Sequence, residues 1–420
     1  MDVMDTIATV ADAPFANGLR SKAGQALRVC DSVVCFGDSD WWYHNRGHVD
    51  MQMMRRFARR VPTLYINSLG VRMPSRGEGS MRARRVLRKL RSMARFYRAG
   101  GEGFGVMSPV FAPVMDGWKA RLLRSGLVWQ VNTMLDILGM RRPLLWVACP
   151  TAAVVVNRIR RAGLVHQLSD CYSALHGGQS NETGGLERRL AENADLIVCS
   201  SRMLHEHAQR EYAKGEYVDH GVDYDLFARA VDAGRVPEEL RRVERPIIGF
   251  FGNIDGNTVD KALLDRVIRL RPEYRFVLVG SMAADFEDLK RHPNVIWVDR
   301  QPYHRIPEFG AAFDVCLMPW LQNEWIRHCN PIKLKEYLAL GKPIVSTPFP
   351  ELERYKALCQ IAESPERFAL AIDQALQDGG AERMRERQAA AARHTWDAKF
   401  ERVMELLAER GVILHELEKD

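Results

Sequence analysis

Short apolar runs of strand length recur along this chain, and each is separated from the next by enough residues for a helix. Asp31–Phe36, Thr63–Asn67, Leu144–Cys149, Leu164–Leu168 and Asp195–Ser200 come first; Pro246–Phe251, Arg275–Gly280, Val295–Val298, Asp314–Met318 and Ile344–Val345 follow. Neighbouring antiparallel strands need only a tight turn, whereas parallel ones need a long crossover. The spacing therefore predicts an α/β fold with mostly parallel, doubly wound sheets. The polar segment 229–245, interrupted by Pro237, divides the two series and reads as a linker. We expect a Rossmann-like domain over 1–228, a second over 246–395, and a final helix over 396–420. The two domains should face a cleft, since ligands of such sheets bind beyond the carboxyl ends of the strands.

The chain has 420 residues, 46% hydrophobic and 27% charged, which suits two globular domains. No stretch has the 18 or so apolar residues of a spanning helix; Leu144–Val156 is too short and contains Pro150. No basic segment precedes an apolar core at the N-terminus, so a secretory signal is not expected. Eight scattered cysteines without a CxxC pair predict buried free thiols in a reducing cytosol and no clustered metal site.

The net charge is +7, and eight Lys/Arg without an acid fall between Arg82 and Arg98. Ser80–Arg98 reads as an amphipathic helix with Val86, Leu87, Leu90, Met93, Ala94 and Tyr97 in one stripe. An apolar loop with Phe104, Val106, Met107, Val110 and Phe111 follows. A basic amphipathic helix beside such a loop fits an anionic membrane surface, and the alternative is a surface helix packed on its own domain. No nucleic-acid motif accompanies the charge, and no nucleic-acid partner is expected.

Two places carry candidate chemistry. Asn330–Thr347 reads as a helix with Asn330 as N-cap, Pro331 in the first turn and Gly341 beyond its end, followed by a buried strand. Lys333 and Glu336 share one face near the helix start, where an ammonium and the helix terminus favour phosphate and a carboxylate can hold ribose hydroxyls. An ordinary exposed Lys/Glu pair has the same spacing. In the first half, the loop Gly37–Trp42 leaves the end of a strand. Its Asp40 and Trp41, with His48 at the next helix start, are candidates for acceptor contact; Trp41 and Trp42 could equally cap the core.

Taken together, Asn330–Thr347, His220–Asp223, Gly249–Gly252 and Phe313–Pro319 resemble, in order and spacing, the motifs of GT-B glycosyltransferases. The chain is similar in particular to bacterial teichuronic-acid-type transferases and to the membrane-associated glucuronosyltransferase of xanthan assembly. The resemblance implies a hexosyl- or glucuronosyl-type transferase, peripheral on the inner face of the cell membrane, whose C-terminal helix, here 396–420, crosses back to pack on the first domain. It would take a nucleotide sugar, most simply a UDP-sugar, and a lipid-linked or hydrophobic acceptor for surface or exopolysaccharide assembly. It implies no further cofactor and a donor site of Gly252, Asn253, Tyr303, Asn330, Lys333 and Glu336. His328 stands where common retaining members have an acid, and no basic residue is in register after Gly252. His166–Asp170 resembles the segment holding the catalytic Asp of the xanthan-type enzyme. These features favour inversion, metal-independent, with Asp170 as general base. The alternatives are retention on the same fold and a non-catalytic membrane or partner-binding protein. A nucleotide-dependent oxidoreductase is disfavoured, because no strand leads into GxGxxG with an acid beyond it.

Overall fold

In a computed structural model, residues 27–43, 47–69, 87, 89–101, 103–111, 117–171 and 181–416 are described. The chain divides into two compact units. The first contains residues up to Ser200, His205–Val218 and Phe400 onward; the second contains Ser201–Leu204 and Asp219–Lys399.

The first unit is built on an eight-stranded sheet ordered Tyr97–Ala99, Gly105–Met107, Thr63–Ile66, Ser32–Phe36, Pro143–Val147, Gly163–Leu168, Leu196–Cys199 and Glu216–Tyr217. Every pairing is parallel except that of the first two strands, at the edge. The central strands are buried along their whole length, as expected where helices cover both faces. Trp146 is fully buried and donates its indole N–H to Gln167 Oε1 at 2.7 Å, so the one polar atom of a large core side chain is satisfied. Phe57 packs edge-on against both Trp146 and Phe400. Arg28–Cys30 pairs in parallel with Val412–Leu414, which gives order to a segment whose sequence carries little signal.

The second unit has a six-stranded, wholly parallel sheet ordered Val295–Val298, Arg275–Val279, Ile247–Phe251, Val315–Met318, Ile344–Ser346 and Gln360–Ile361. Alternate residues of each strand face two separate cores. Phe251, Val277 and Cys316 face one, with Tyr337 and Leu338; Phe250, Phe276 and Leu317 face the other, with Ile268 and Ile372.

Asp219, the first residue of the long segment of this unit, is buried against two lysines and a histidine. Lys399 Nζ lies at 2.5 Å, Lys335 Nζ at 3.1 Å and His394 Nδ1 at 3.2 Å, with Arg354 at 3.6 Å. Burial opposes the charge of Asp219, but His394, Lys335 and Lys399 outweigh it and hold the carboxyl far below its usual range.

Several sequence expectations are corrected. Residues 229–245 are not an open linker: the helix Tyr224–Ala233 enters them and Glu238–Leu240 forms a 3-10 turn, all within the second unit. The crossover after Cys149, which the spacing of the strands leaves room to be helical, is two 3-10 turns, Pro150–Val154 and Val156–Arg158. Of the basic helix 80–98, residues 80–86 and 88 lie outside the described residues; 89–95 are helical, but Tyr97 and Arg98 belong to the edge strand. The 21-residue helix Gly117–Ile137 was not anticipated. No helix among the described residues is long and apolar enough to cross a membrane.

Candidate active site

In the second unit, the strand Ile247–Phe251 ends at Gly252, whose φ of +136° suits glycine and few other residues. The next strand ends at Gly280, at φ +141°. A Cβ on Gly280 would stand 1.9 Å from the carbonyl oxygen of Gly252, so the two backbones meet without side chains between them. The helix Ile332–Ala339 is fixed to this edge by Tyr337: the Phe251 N–H donates to its hydroxyl at 3.2 Å and the two rings pack 4.7 Å apart. Gly341, at φ +67°, closes the helix, with its N–H donating to Leu338 O.

That anchoring lays Lys333 across Gly252. A Cβ at position 252 would stand 2.4 Å from both Cε and Nζ of Lys333. The ammonium lies 5.6 Å from the Phe250 ring centroid and has neither a hydrogen-bond acceptor nor an ion pair among the described residues. Burial lowers its pKa, while Glu336 and Asp255 oppose the shift. A cation held without a local partner beside a glycine-lined strand end has the properties of an anion-binding group.

Glu336, one turn on, is 5% exposed and accepts a hydrogen bond from Tyr303 Oη at 3.1 Å. Burial raises its carboxyl to about 7 against the influence of Lys333 and Tyr303. Asn253 is exposed next to Gly252, and its Oδ1 accepts from Ser281 Oγ at 3.0 Å. Asn330 is not the N-cap: Pro331 takes that position, and the Asn330 side chain, 7% exposed, accepts from Lys335 Nζ at 3.4 Å. Gly252, Asn253, Lys333, Glu336 and Tyr303 thus gather at one strand edge, with Asn330 directed back toward the Lys335–Asp219 cluster. His328 Nδ1 lies 2.9 Å from Glu324 O in its own short helix. Lys261, the nearest basic residue after Gly252, is engaged by Asp288 and by the Asp285 carbonyl.

In the first unit, Asp170 follows the strand Gly163–Leu168 at its carboxyl end. The strand Ser32–Phe36 is separated from it by one strand only, so the loop starting at Gly37 opens on the same sheet edge. Desolvation raises the Asp170 carboxyl to about 7; nearby Asp38 adds to the rise and His48 opposes it. Asp38 and His48 are therefore neighbours of Asp170 through the fold, although far from it in sequence. Asp40 Oδ1 caps its own turn by accepting from the Trp42 N–H at 3.0 Å.

Trp41 corrects the expectation of an acceptor platform. It is fully buried, its ring 4.9 Å from Phe104 and 5.6 Å from Tyr65, and its backbone N–H donates to Asn67 Oδ1. It fixes the loop from beneath. A residue that sequence reasoning passed over does so as well. Asp50, 1% exposed, accepts from Tyr65 Oη at 2.8 Å and from the Asp38 N–H at 3.0 Å. Gly37 is required here, because a Cβ would overlap the Tyr65 hydroxyl at 2.0 Å. The only sequence signal for Asp50 was an acid in the first turn of an apolar helix.

Residues 245–378 match the family model described as glycosyl transferases group 1. The solved structures similar to this chain include sucrose-phosphate synthase from Thermosynechococcus elongatus, with a TM-score of 0.66 at 14% identity over 89% of this chain and 97% of that one. They also include Anabaena HepE in complex with UDP-glucose, with a TM-score of 0.64 at 16% identity over 90% of this chain and 99% of that one. The fold is the GT-B fold, and the second unit is a group 1 glycosyltransferase domain. Among curated proteins, the chain is 28% identical over 286 residues to a putative teichuronic acid biosynthesis glycosyltransferase of Bacillus subtilis, covering 63% of this chain and 71% of that protein.

Proposed function

We propose that this chain transfers a sugar from a nucleotide sugar, with a UDP-sugar as the first donor to test, to a lipid-linked acceptor in polysaccharide assembly. The observation that carries this reading is the Lys333 ammonium laid across Gly252, which has no hydrogen-bond acceptor and no ion pair among the described residues. The solved complex of the Anabaena protein with UDP-glucose and the name of the Bacillus relative support the donor and the pathway class. Lys333, the start of the helix Ile332–Ala339 and the backbone at Gly252–Asn253 receive the diphosphate. Glu336 receives the ribose hydroxyls, and Tyr303 holds Glu336 on the nucleoside side.

The proposed reaction is inverting. The acceptor hydroxyl attacks the anomeric carbon as the bond from that carbon to the diphosphate oxygen breaks. The hydroxyl proton passes to Asp170, and Lys333 offsets the charge developing on the leaving group. A carboxylate with a pKa near 7 is matched to this work, being substantially ionised at neutral pH yet basic enough to take a proton. Asp40 and His48 are proposed to contact the acceptor. With lysine and the helix terminus supplying positive charge, the scheme calls for no metal. The site is proposed to work at the inner face of the cell membrane, with the basic segment 80–98 on the anionic surface.

The test is donor binding by calorimetry across common nucleotide sugars, for the native chain and Lys333→Ala. Loss of about 1.5–3 kcal/mol is expected for removal of a charged hydrogen bond. Unchanged affinity in the variant would remove Lys333 from the site.

A further inference from the structure

Nine of the twelve large apolar side chains that stand exposed among the described residues fall between Leu87 and Ile137. They are not scattered. The helix Gly117–Ile137 buries Ala120, Leu127, Val131, Met134 and Leu135 against its own unit. On the opposite side it exposes Trp118 at 67%, Leu122 at 65% and Trp129 at 68%. These three lie at i, i+4 and i+11, one stripe along the helix. Gln130 connects the stripe to the preceding loop: its Oε1 accepts from the Val110 N–H at 2.9 Å and its Nε2 donates to Val110 O at 3.1 Å. Val110 is itself 57% exposed. The Ser108 N–H donates to Phe96 O at 2.6 Å, bringing exposed Phe96 and the end of the 89–95 helical turns to the same loop. In those turns polar Ser92 is fully buried and apolar Leu90 is 58% exposed, the reverse of a helix packed only on its own core.

Among the described residues, the charged side chains beside Trp118 and Leu122 are basic. Lys119 and Arg121 flank Trp118 and Leu122 on the exposed side, and Arg158 Nη1 donates to Ser125 Oγ at 3.2 Å. The helix has one acid, Asp136, and Arg160 neutralises it at 2.8 Å. Two indoles with an aliphatic side chain between them, edged by lysine and arginine, match the interfacial zone of an anionic bilayer, where rings sit at headgroup level and cations meet phosphate. A protein partner would accept the apolar stripe without needing lysine and arginine beside Trp118 and Leu122.

We infer that the helix Gly117–Ile137 is a membrane-insertion element, entering an anionic bilayer through Trp118, Leu122 and Trp129, with Val110 and Phe96 beside it. This deepens the membrane-surface part of the proposed function by moving the apolar anchor from the basic segment to a second helix. It does not depend on the transfer chemistry.

The test is co-sedimentation of the full chain with phosphatidylcholine vesicles, with and without phosphatidylglycerol. Native protein is expected to pellet with the anionic vesicles. The triple variant Trp118→Ser, Leu122→Ser, Trp129→Ser should lose roughly tenfold or more of that partition, since three buried apolar side chains leave the interface. All three are solvent-exposed, so the variant should keep its melting temperature and its nucleotide binding, which reads the second unit separately. Brominated lipid should quench the fluorescence of native protein more than that of the variant. Undiminished pelleting of the triple variant overturns the inference. So does loss of binding on charge reversal at Arg91 and Arg98 with retention in the triple variant, which would leave only surface charge holding the membrane. A self-association abolished by the triple variant, without vesicle binding by native protein, would make the stripe a copy-to-copy interface and also overturn it. Failure of nucleotide-sugar binding with vesicle binding intact would instead count against the transfer reaction alone.

Discussion

Lys333 lies over Gly252 so closely that a Cβ on the glycine would stand 2.4 Å from both its Cε and its Nζ. The lysine and the strand end therefore form one feature, and a side chain at position 252 cannot be added without moving the lysine. Gly252→Ala must displace Lys333 and also place a side chain at a φ of +136°. We expect a stability loss of about 1–3 kcal/mol from the backbone alone. Nucleotide diphosphate affinity should fall at least as far as in Lys333→Ala. Thermal melts and calorimetry on both variants check this, and a Gly252→Ala protein with native affinity would separate the two residues.

The Tyr303 hydroxyl reaches Glu336 at 3.1 Å and favours its ionised form against burial. Tyr303→Phe removes that donor and leaves the ring. The Glu336 carboxyl, already near 7, should then move further up, so that less carboxylate is present at neutral pH to accept ribose hydroxyls. The expected result is a rise in donor KM of several-fold, about 1 kcal/mol, with little change in kcat. The rise should shrink at pH 8.5, where Glu336 is ionised in either protein. A defect in kcat alone would place Tyr303 elsewhere.

For Asp170 the pH dependence falls in the neutral range, where an ordinary carboxylate base is already fully ionised and its profile is flat. Its pKa of about 7 leaves the base partly protonated at neutrality, so kcat/KM should rise with pH through that region and fall below it. Asp170→Asn should cost about 10²–10⁴-fold in transfer while leaving donor affinity unchanged. Full activity in the variant, or a flat profile between pH 6 and 8, would move the base to another residue.

Lys335, 1% exposed, is the most deeply buried member of the Asp219 cluster. Asp219 keeps Lys399 and Arg354 when Lys335 is removed, so the loss is that of one charge-assisted contact within a buried cluster. Lys335→Met is therefore expected to destabilise the protein by about 1.5–3 kcal/mol in denaturant melts, even though the site lysine next but one to it can be removed at small cost. Lys333 has no partner among the described residues to leave stranded. Equal melting temperatures for Lys335→Met and Lys333→Ala would contradict this distinction.

The sheets were legible because period and spacing are local properties. The runs at 32–36, 163–168 and 247–251 agree with their sequence limits to within a residue or two. Lys333, Glu336 and Gly341 were legible for the same reason, lying within three turns of one another. The helix Gly117–Ile137 was not, because its apolar side chains occupy two opposite faces. Leu127 and Val131 point into the unit and Trp118 and Trp129 out of it, so no single stripe marks a helix. Asp50 and Asp219 were invisible for another reason. Their partners Tyr65, Lys335 and Lys399 come from distant parts of the chain, and only the tertiary structure brings them together. Trp41 was ambiguous in sequence, and Phe104, more than sixty residues away, decides its burial.

The ion pair between Asp219 and Lys399 has a consequence for how such a chain can be rearranged. These residues are the first and last of the long segment that makes up nearly all of the second unit, and their side chains meet at 2.5 Å. The segment thus begins and ends at one point, like an insert spliced into a host at a single site. The whole segment, with the proposed donor site inside it, is therefore a unit for exchange between relatives, provided the exchange keeps the acid at one end and the lysine at the other.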